Sequence, residues 1–189
     1  AWDFMGRQAS VTEPGIGTTR YTYPEGDKRT LHHDPEGGVV EEMFNQNGDL
    51  IKEIRADSTE ENYTYDVRGN RYETISSLGV RTVNIYDDAN RLFEVRVFAT
   101  TTATQPVRVI RYGYNLRGDL LQESDTGAEG SGIIQTYQRD SLGRVTSATT
   151  NYGTFSKTHG YTYYSNGTID TMTAPDGTVF TYRWDQANQ

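Results

Sequence analysis

Tyr63-Thr64-Tyr65-Asp66-Val67-Arg68-Gly69-Asn70-Arg71 is the stretch that decides the fold. Tyr63 and Tyr65 stand two apart, so on a strand they share one face. Asp66 is suited to open a type I turn by accepting bonds from the backbone N–H groups that follow it. Gly69 supplies the left-handed residue that closes a hairpin with a bulge. The stretch reads as one strand, a turn, and the start of the returning strand.

The same pattern recurs along the chain. An aromatic followed four positions later by a residue tolerant of positive φ occurs at Trp2/Gly6, Tyr23/Asp27, Phe44/Gly48, Tyr65/Gly69, Tyr86/Asn90, Tyr114/Gly118, Tyr163/Gly167 and Trp184/Asn188, and Arg139/Gly143 fills the remaining place. Asp87 repeats the role of Asp66 directly after its aromatic. Positions 6, 27, 48, 69 and 90 are 21 residues apart, and the later intervals are 28, 25, 24 and 21. A fixed period of this length marks a repeat architecture. The stretched intervals coincide with polar insertions at 99–106 and 127–132, which read as enlarged loops. After each turn comes a short apolar strand such as Leu50-Ile51-Lys52-Glu53-Ile54, then a second bend such as Glu13-Pro14-Gly15, Asp34-Pro35-Glu36-Gly37, Leu78-Gly79 or Ala174-Pro175-Asp176-Gly177. Each unit thus supplies two strands and two turns, and stacked units place equivalent aromatics in rows. Such an array is nearly one-dimensional in its energetics and leaves open edges wherever it is cut.

Composition agrees. Hydrophobic residues make up 34% and mean hydropathy is −0.76, thin for a two-layer core, yet 12% aromatics is too rich for a disordered chain. A net charge of −8 offers no clustered cations for phosphate backbones, so nucleic acid is not an expected partner. The absence of Cys rules out disulfides, thiolate nucleophiles and Cys-based zinc sites. No apolar run approaches the roughly 20 residues of a spanning helix. The first residues, from Ala1 to Arg7, open inside the repeat, so the chain is read as a fragment of a longer polypeptide.

Tyr63 to Arg71, Ile85-Tyr86-Asp87-Asp88-Ala89-Asn90-Arg91-Leu92 and Tyr112-Gly113-Tyr114-Asn115-Leu116-Arg117-Gly118 resemble the Tyr-x-Tyr-Asp-x-x-Gly-Arg-Leu signature of the Rhs/YD-repeat family, and the resemblance covers almost the whole chain. It implies one long β-sheet that spirals into a hollow shell. Bacterial members enclose a C-terminal toxin domain, and related shells occur in insecticidal toxin complexes and teneurins. Three units depart from the signature and are expected to be distorted hairpins: Arg139 replaces the aromatic, Pro24 replaces Asp with Gly26 one place early, and Tyr164 replaces Asp. Asp34-Pro35-Glu36-Gly37-Gly38 is similar to the family's self-cleavage element, but Gly38 stands in place of Leu and the segment falls at a periodic bend. No catalytic residue is carried over.

Other candidate chemistry is better read as structure. His32 and His33 would face opposite sides of a strand, so sharing a metal is disfavoured, and His159 stands alone. Asn45-Gln46-Asn47-Gly48-Asp49 is similar to a calcium loop, but Ala56 occupies the place of the closing Glu and a hairpin turn is the simpler reading. Glu41-Glu42, Glu60-Glu61 and Asp87-Asp88 are neighbours that face apart, which gives no acid–base pair. Asn62-Tyr63-Thr64 and Asn166-Gly167-Thr168 match a glycosylation sequon at positions the repeat needs anyway. Rows of Tyr could stack on sugars, with packing between repeats as the preferred account.

The sequence therefore predicts an all-β protein. Residues 1–189 form a single array of tandem hairpins in one continuous twisted antiparallel sheet, part of a spiralling β-shell. It predicts no enzyme activity, no metal and no cofactor. The expected partners are the rest of the parent shell and its enclosed cargo, with glycans as a second class, and the expected location is secreted or at the cell surface. The main rival is an extracellular carbohydrate-binding or adhesion module.

Overall fold

The computed structural model describes residues 1–24, 28–127 and 132–185. Among them are sixteen β-strands, all paired antiparallel where pairing is resolved, and no helix; the strand order in the sheet is the order in the chain. The chain divides into two units.

The first unit comprises Ala1–Val83 with Phe98–Thr104. It contains β1 (Ser10–Glu13), β2 (Gly17–Thr22), β3 (Arg29–His33), β4 (Val39–Phe44), β5 (Leu50–Ile54), β6 (Glu60–Tyr65), β7 (Arg71–Ile75) and the first half of β8 (Arg81–Tyr86). The second comprises Asn84–Val97 with Gln105–Gln189. It takes the rest of β8, nearly all of β9 (Leu92–Phe98), then β10 (Arg108–Tyr114), β11 (Leu120–Asp125), β12 (Ile133–Arg139), β13 (Val145–Asn151), β14 (Ser156–Tyr163), β15 (Ile169–Thr173) and β16 (Val179–Thr181).

One turn design closes most of the hairpins. The first residue's N–H donates to the carbonyl four residues on, and the fourth residue's N–H donates back to the first carbonyl. At Asp66 these bonds are Asp66 N to Asn70 O, 2.9 Å, and Gly69 N to Asp66 O, 3.1 Å. The strand register slips by one residue beside the turn, between Thr64 and Tyr65, as a bulge requires. The same pair of bonds recurs in the turns opening at Asp3, Asp34, Asn45, Arg55, Ser76, Asp87, Asn115, Asp140, Tyr164 and Ala174. Bends at both ends of the strands thus share this pair of backbone bonds, and the register shift marks those that follow the signature aromatic.

The fourth residue must take positive φ. Gly69 does so at +83° without cost, Asn90 at +63° and Ser58 at +65°. Ser58 explains why the turn at residues 55–59 carries no glycine signal in the sequence: a residue ill suited to that region occupies it. Its Asp57 compensates by accepting bonds from both the N–H and the hydroxyl of Thr59, at 3.0 and 2.7 Å. The same Asx–x–Thr cap recurs at Asn166/Thr168, and Asp176 likewise accepts the N–H of Thr178.

Two expected distortions are absent. The turn at Asp140 keeps both backbone bonds at 3.0 Å, the bulge between Gln138 and Arg139, and Gly143 at φ +86°, although Arg139 stands where an aromatic belongs. The turn at Tyr164 also keeps its bonds, at 2.9 and 3.0 Å. The backbone closes the turn; the Asp side chain only caps it. The departure at Pro24 involves residues 25–27, including Gly26 and Asp27, which lie outside the described residues. Of the two enlarged loops, that at 99–106 follows β9, and most of the other falls at 128–131, outside the described residues.

The interior is small. Tyr63, Val83 and Phe98 are the buried hydrophobics among the described residues, and none of the largest side chains is below 2% exposure. Threonines also pair across strands, as Thr149 with Thr158 at 2.8 Å and Thr162 with Thr171 at 2.7 Å. With so little core, stability rests on ladders and turns. Replacing Gly69 by Ala is therefore expected to cost about 1–2 kcal/mol, whereas Asn90→Gly is expected to be neutral within about 1 kcal/mol. Urea midpoints of the two variants check this, and equal loss in both would contradict the turn analysis.

Candidate functional site

The chemically dense part of this molecule is the joint between one repeat and the next, built by residues spaced along the signature itself. At five of the repeats the aromatic before the turn reaches back and donates a hydrogen bond to the carbonyl of the first residue after the preceding repeat's turn, whereas Phe44 carries no donor. Tyr23 Oη donates to Gln8 O at 2.8 Å, Tyr65 to Leu50 at 2.7 Å, Tyr114 to Leu92 at 2.8 Å, and Tyr163 to Val145 at 2.6 Å. Trp184 Nε1 makes the equivalent bond to Ile169 O at 2.6 Å. Arg139, the non-aromatic exception, places Nε 3.1 Å from Leu120 O, so the replacement keeps a donor at the same carbonyl.

The last residue of the turn completes the joint when it is arginine. Arg7, Arg91 and Arg144 each pair with the Asp that opened their own turn, at 2.8, 2.6 and 2.7 Å. Each also covers the ring of the next repeat's tyrosine, at 4.2 Å over Tyr23, 4.6 Å over Tyr114 and 4.6 Å over Tyr163. Arg91 and Arg144 then donate to the first carbonyl of the next turn, Asn115 O at 3.0 Å and Tyr164 O at 3.3 Å. One guanidinium therefore ties a turn to itself, to the next ring and to the next turn, which its planar set of donors permits.

These contacts tune the charged groups. The Asn70 amide and the turn N–H groups hold Asp66 below the usual carboxylate range, and the Arg91 guanidinium does the same for Asp87. At Asp140, partial burial pushes upward and the Arg144 bonds outweigh it. Burial, then the Glu61 carboxylate that accepts its hydroxyl at 2.8 Å, pushes the Tyr63 phenol up to about 12. Glu94 is buried, which raises its pKa, but bonds from Arg96 and from Arg111 at 2.5 Å bring it below the usual value.

The residues singled out by the repeat are distributed as follows. Gly6, Gly48, Gly118 and Gly167 occupy the fourth turn position with positive φ, as Gly69, Asn90 and Gly143 do. Trp2 forms an isolated bridge with Gln8 and is largely exposed, Phe44 ends β4 opposite Leu50, and Tyr86 ends β8. Asp27 and Asn188 lie outside the described residues. His32 pairs with Glu42 at 2.9 Å while His33 contacts the Thr22 hydroxyl at 2.7 Å, so the two serve different neighbours. His159 lies opposite Ala148. Asn45–Asp49 and Asp34–Gly38 are hairpin turns.

The sequence reading missed a row of carboxylates. Glu42 lies opposite Glu53, and Glu53 opposite Glu61, on three adjacent strands. Facing like charges are unfavourable. Arg55 offsets them by bridging Glu53 at 2.9 Å and Glu61 at 3.4 Å. Adjacent pairs in sequence concealed this row, because its members come from different strands and only the register aligns them. No group of three His, Asp or Glu among the described residues is placed to hold a metal ion.

Two measurements follow. Tyr114→Phe removes the hydroxyl but keeps the ring, and is expected to cost about 1 kcal/mol. An Arg91→Ala/Tyr114→Leu cycle, which removes the guanidinium and the ring it covers, measures their coupling, and strict additivity would argue against the joint. The depressed carboxylates set the acid response. Unfolded aspartates titrate near pH ~3.9, above the folded values, so the unfolded chain binds more protons in that region. The contribution of Asp66 and Asp87 is complete above pH ~3.9 and is lost as pH falls through their folded values. Acid unfolding monitored by far-UV circular dichroism should be less steep in Asp66→Asn/Asp87→Asn than in the parent.

Neither a family model nor a curated protein matches this chain. Solved structures do. The fold is similar to a chain in the structure of the Photorhabdus luminescens Tc holotoxin pore with the mutation TccC3-D651A, with a TM-score of 0.73 and 16% identity over 96% of this chain and 11% of that one. It is also similar to TcdB2-TccC3-TEV, with a TM-score of 0.69 and 16% identity over 96% of this chain and 11% of the other. TcdB2-TccC3-Cdc42 gives 0.69 and 15% over 99% and 12%. This chain therefore spans about a ninth of the length of these toxin chains. What they share is the fold, an all-β ribbon of consecutive hairpins, and it is the fold that the resemblance to Rhs/YD repeats implied.

Proposed function

We propose that this chain is a segment of the wall of an Rhs-type shell that encloses and shields a C-terminal toxin or effector domain of its parent protein. The observation that carries this reading is the coupling of successive hairpins through one repeated joint, in a fold shared with a small part of much larger toxin chains. A strand order that never leaves chain order suits a wall that grows by adding units. Fully exposed apolar side chains at turn tips, Val67 and Leu116, suit a ribbon that meets further protein. The function is mechanical: it excludes other molecules from a cargo and makes or breaks no covalent bond. Secretion or display at the cell surface goes with this role.

The glycan-binding alternative is weakened by the joints. Tyr23, Tyr114 and Tyr163 spend their hydroxyls on neighbouring carbonyls and their ring faces on arginines, which leaves those rings poor platforms for sugars.

Limited proteolysis of the full parent protein tests the proposal. A segment downstream of the repeats should survive native digestion and be degraded once the parent is unfolded in denaturant. Cleavage of that segment at the same rate in both conditions would rule out enclosure.

A further inference from the structure

The N–H of the fifth turn residue is capped from one of two places. Where the first residue is Asp, Asn or Ser, its side-chain oxygen accepts that N–H: Asp3 takes Arg7 N at 2.8 Å, Asn45 takes Asp49 N at 2.9 Å, Asp66 takes Asn70 N at 2.9 Å and Ser76 takes Val80 N at 3.2 Å. Where the first residue is Arg55, Tyr164 or Ala174, the third residue caps instead. Asp57, Asn166 and Asp176 accept the N–H of Thr59, Thr168 and Thr178 at 3.0, 3.1 and 2.9 Å. Asn47 is left over by this rule. It is an asparagine at the third position of a turn whose fifth N–H already belongs to Asn45. The Asn47 side chain is exposed and makes no hydrogen bond among the described residues; its own N–H is taken by Asn45 at 2.9 Å.

Asn166 provides an internal comparison. Both asparagines are exposed, and each precedes a glycine at positive φ, Gly48 at +91° and Gly167 at +92°. In both turns that glycine's N–H donates to the first carbonyl, at 3.2 and 3.0 Å. Exposure, following residue and backbone are therefore matched, and the side chains differ. The Asn166 carbonyl oxygen is held by the Thr168 N–H and by the Thr168 hydroxyl at 2.8 Å, which fixes its Cγ. The Asn47 amide is free to change rotamer. A glycine nitrogen is the least hindered in the backbone, because no Cβ stands beside it. An unanchored asparagine amide next to such a nitrogen can close a five-membered ring on it.

We propose that Asn47-Gly48 is a spontaneous modification site, at which the folded chain converts asparagine to aspartate and isoaspartate, and that the equivalent Asn166-Gly167 is protected. The Gly48 nitrogen gives its proton to solvent base and attacks Cγ of Asn47. The N–Cγ bond forms, the Cγ–Nδ2 bond breaks, and Nδ2 leaves as ammonia after taking a proton from water. Water then opens the succinimide. Addition at Cγ gives aspartate, whereas addition at the Asn47 main-chain carbonyl gives isoaspartate, with the backbone routed through Cβ and Cγ. No oxidation or reduction occurs. Either product adds a carboxylate to a hollow already lined by Asp49 and Asp66. Isoaspartate also inserts a carbon ahead of the N–H that closes the turn on Asn45 O, so the turn at 45–49 loosens with age. The proposal concerns one turn and stands apart from whether the parent protein encloses a cargo.

The test is incubation of the full chain in warm, mildly alkaline buffer made with heavy-oxygen water, followed by digestion in ordinary water and peptide mass spectrometry. Heavy oxygen should enter the peptide containing Asn47 at least about fivefold faster than the one containing Asn166, the ratio set by releasing about one hydrogen bond. In urea the two rates should converge. Asn45→Ala vacates the first cap and leaves the Asp49 N–H to Asn47, as Asp176 serves the turn opened by Ala174, so conversion at Asn47 should slow even though the turn has lost a bond. Thr168→Val removes the hydroxyl and should speed conversion at Asn166; it decides the question if Asn45→Ala does not fold. Equal rates at the two sites in the folded chain, a ratio that persists in urea, conversion at Asn47 that is not slowed in folded Asn45→Ala, or an unchanged rate at Asn166 in Thr168→Val would each overturn the proposal.

Discussion

A two-stranded hairpin in water is marginal by itself, and this chain has almost no buried core with which to rescue one. Much therefore depends on the hydrogen bond that reaches, at six of the repeats, from the side chain before one turn to the carbonyl just past the preceding turn. It links units that are otherwise held only by the ladder, and it does so at the turn end, where the ladder is interrupted by a bulge. A carbonyl beside a bulge lacks its regular partner, and a long side chain from the next unit is well placed to supply one. The requirement is for reach and a donor, not for a particular ring. Tyr, Trp and Arg all meet it here.

That requirement accounts for the whole signature. Tyrosine or its substitute provides the donor. Asp caps the turn, the glycine-like residue bends it, and the arginine after it returns to the Asp while covering the next ring. Each residue has one task inside its own hairpin and a second toward its neighbour, so local turn chemistry and long-range stacking cannot be satisfied separately. Agreement between levels of this kind is what makes a repeat sequence specify one register. The joint at Asp119 and Arg139 shows that the contact, not the identity of either residue, is what the fold demands: a guanidinium replaces the aromatic as donor to Leu120 O, an anion stands at the last turn position, and Gly118 and Gly143 keep their positive φ.

Much of this was legible in the sequence. The positive-φ corners at Gly48, Gly69 and Asn90 could be seen because few residues tolerate that conformation, and the paired tyrosines because a strand alternates its faces. Two things were not. Ser58 bends the chain with no glycine to announce it, since its turn is held by backbone bonds and an Asp57–Thr59 cap that looks like ordinary surface polarity in one dimension. The carboxylate row of Glu42, Glu53 and Glu61 exists only through register, which a bulge beside Phe44 shifts by one residue. The expected distortions at Arg139 and Tyr164 failed for a related reason. They weighed side-chain identity, whereas the turn closes through main-chain bonds that any residue can make.

A sheet built this way has an unusual distribution of rigidity. Its constraints lie along the two lines of turns, with few buried side chains between them. Loss of one joint should loosen the two hairpins it connects and leave distant ones intact, because coupling between units is nearest-neighbour. Variation in the joints then becomes a means of grading the ribbon. Those at Arg91 and Arg144 hold three points together, that at Asp119 is tied by Arg117, and that at Asp49 ends in a carboxylate bonded to the Asn45 amide of its own turn. Stiffness and surface charge are thus set by the same residue, the last of each turn, and a change there alters both without disturbing the backbone that carries it.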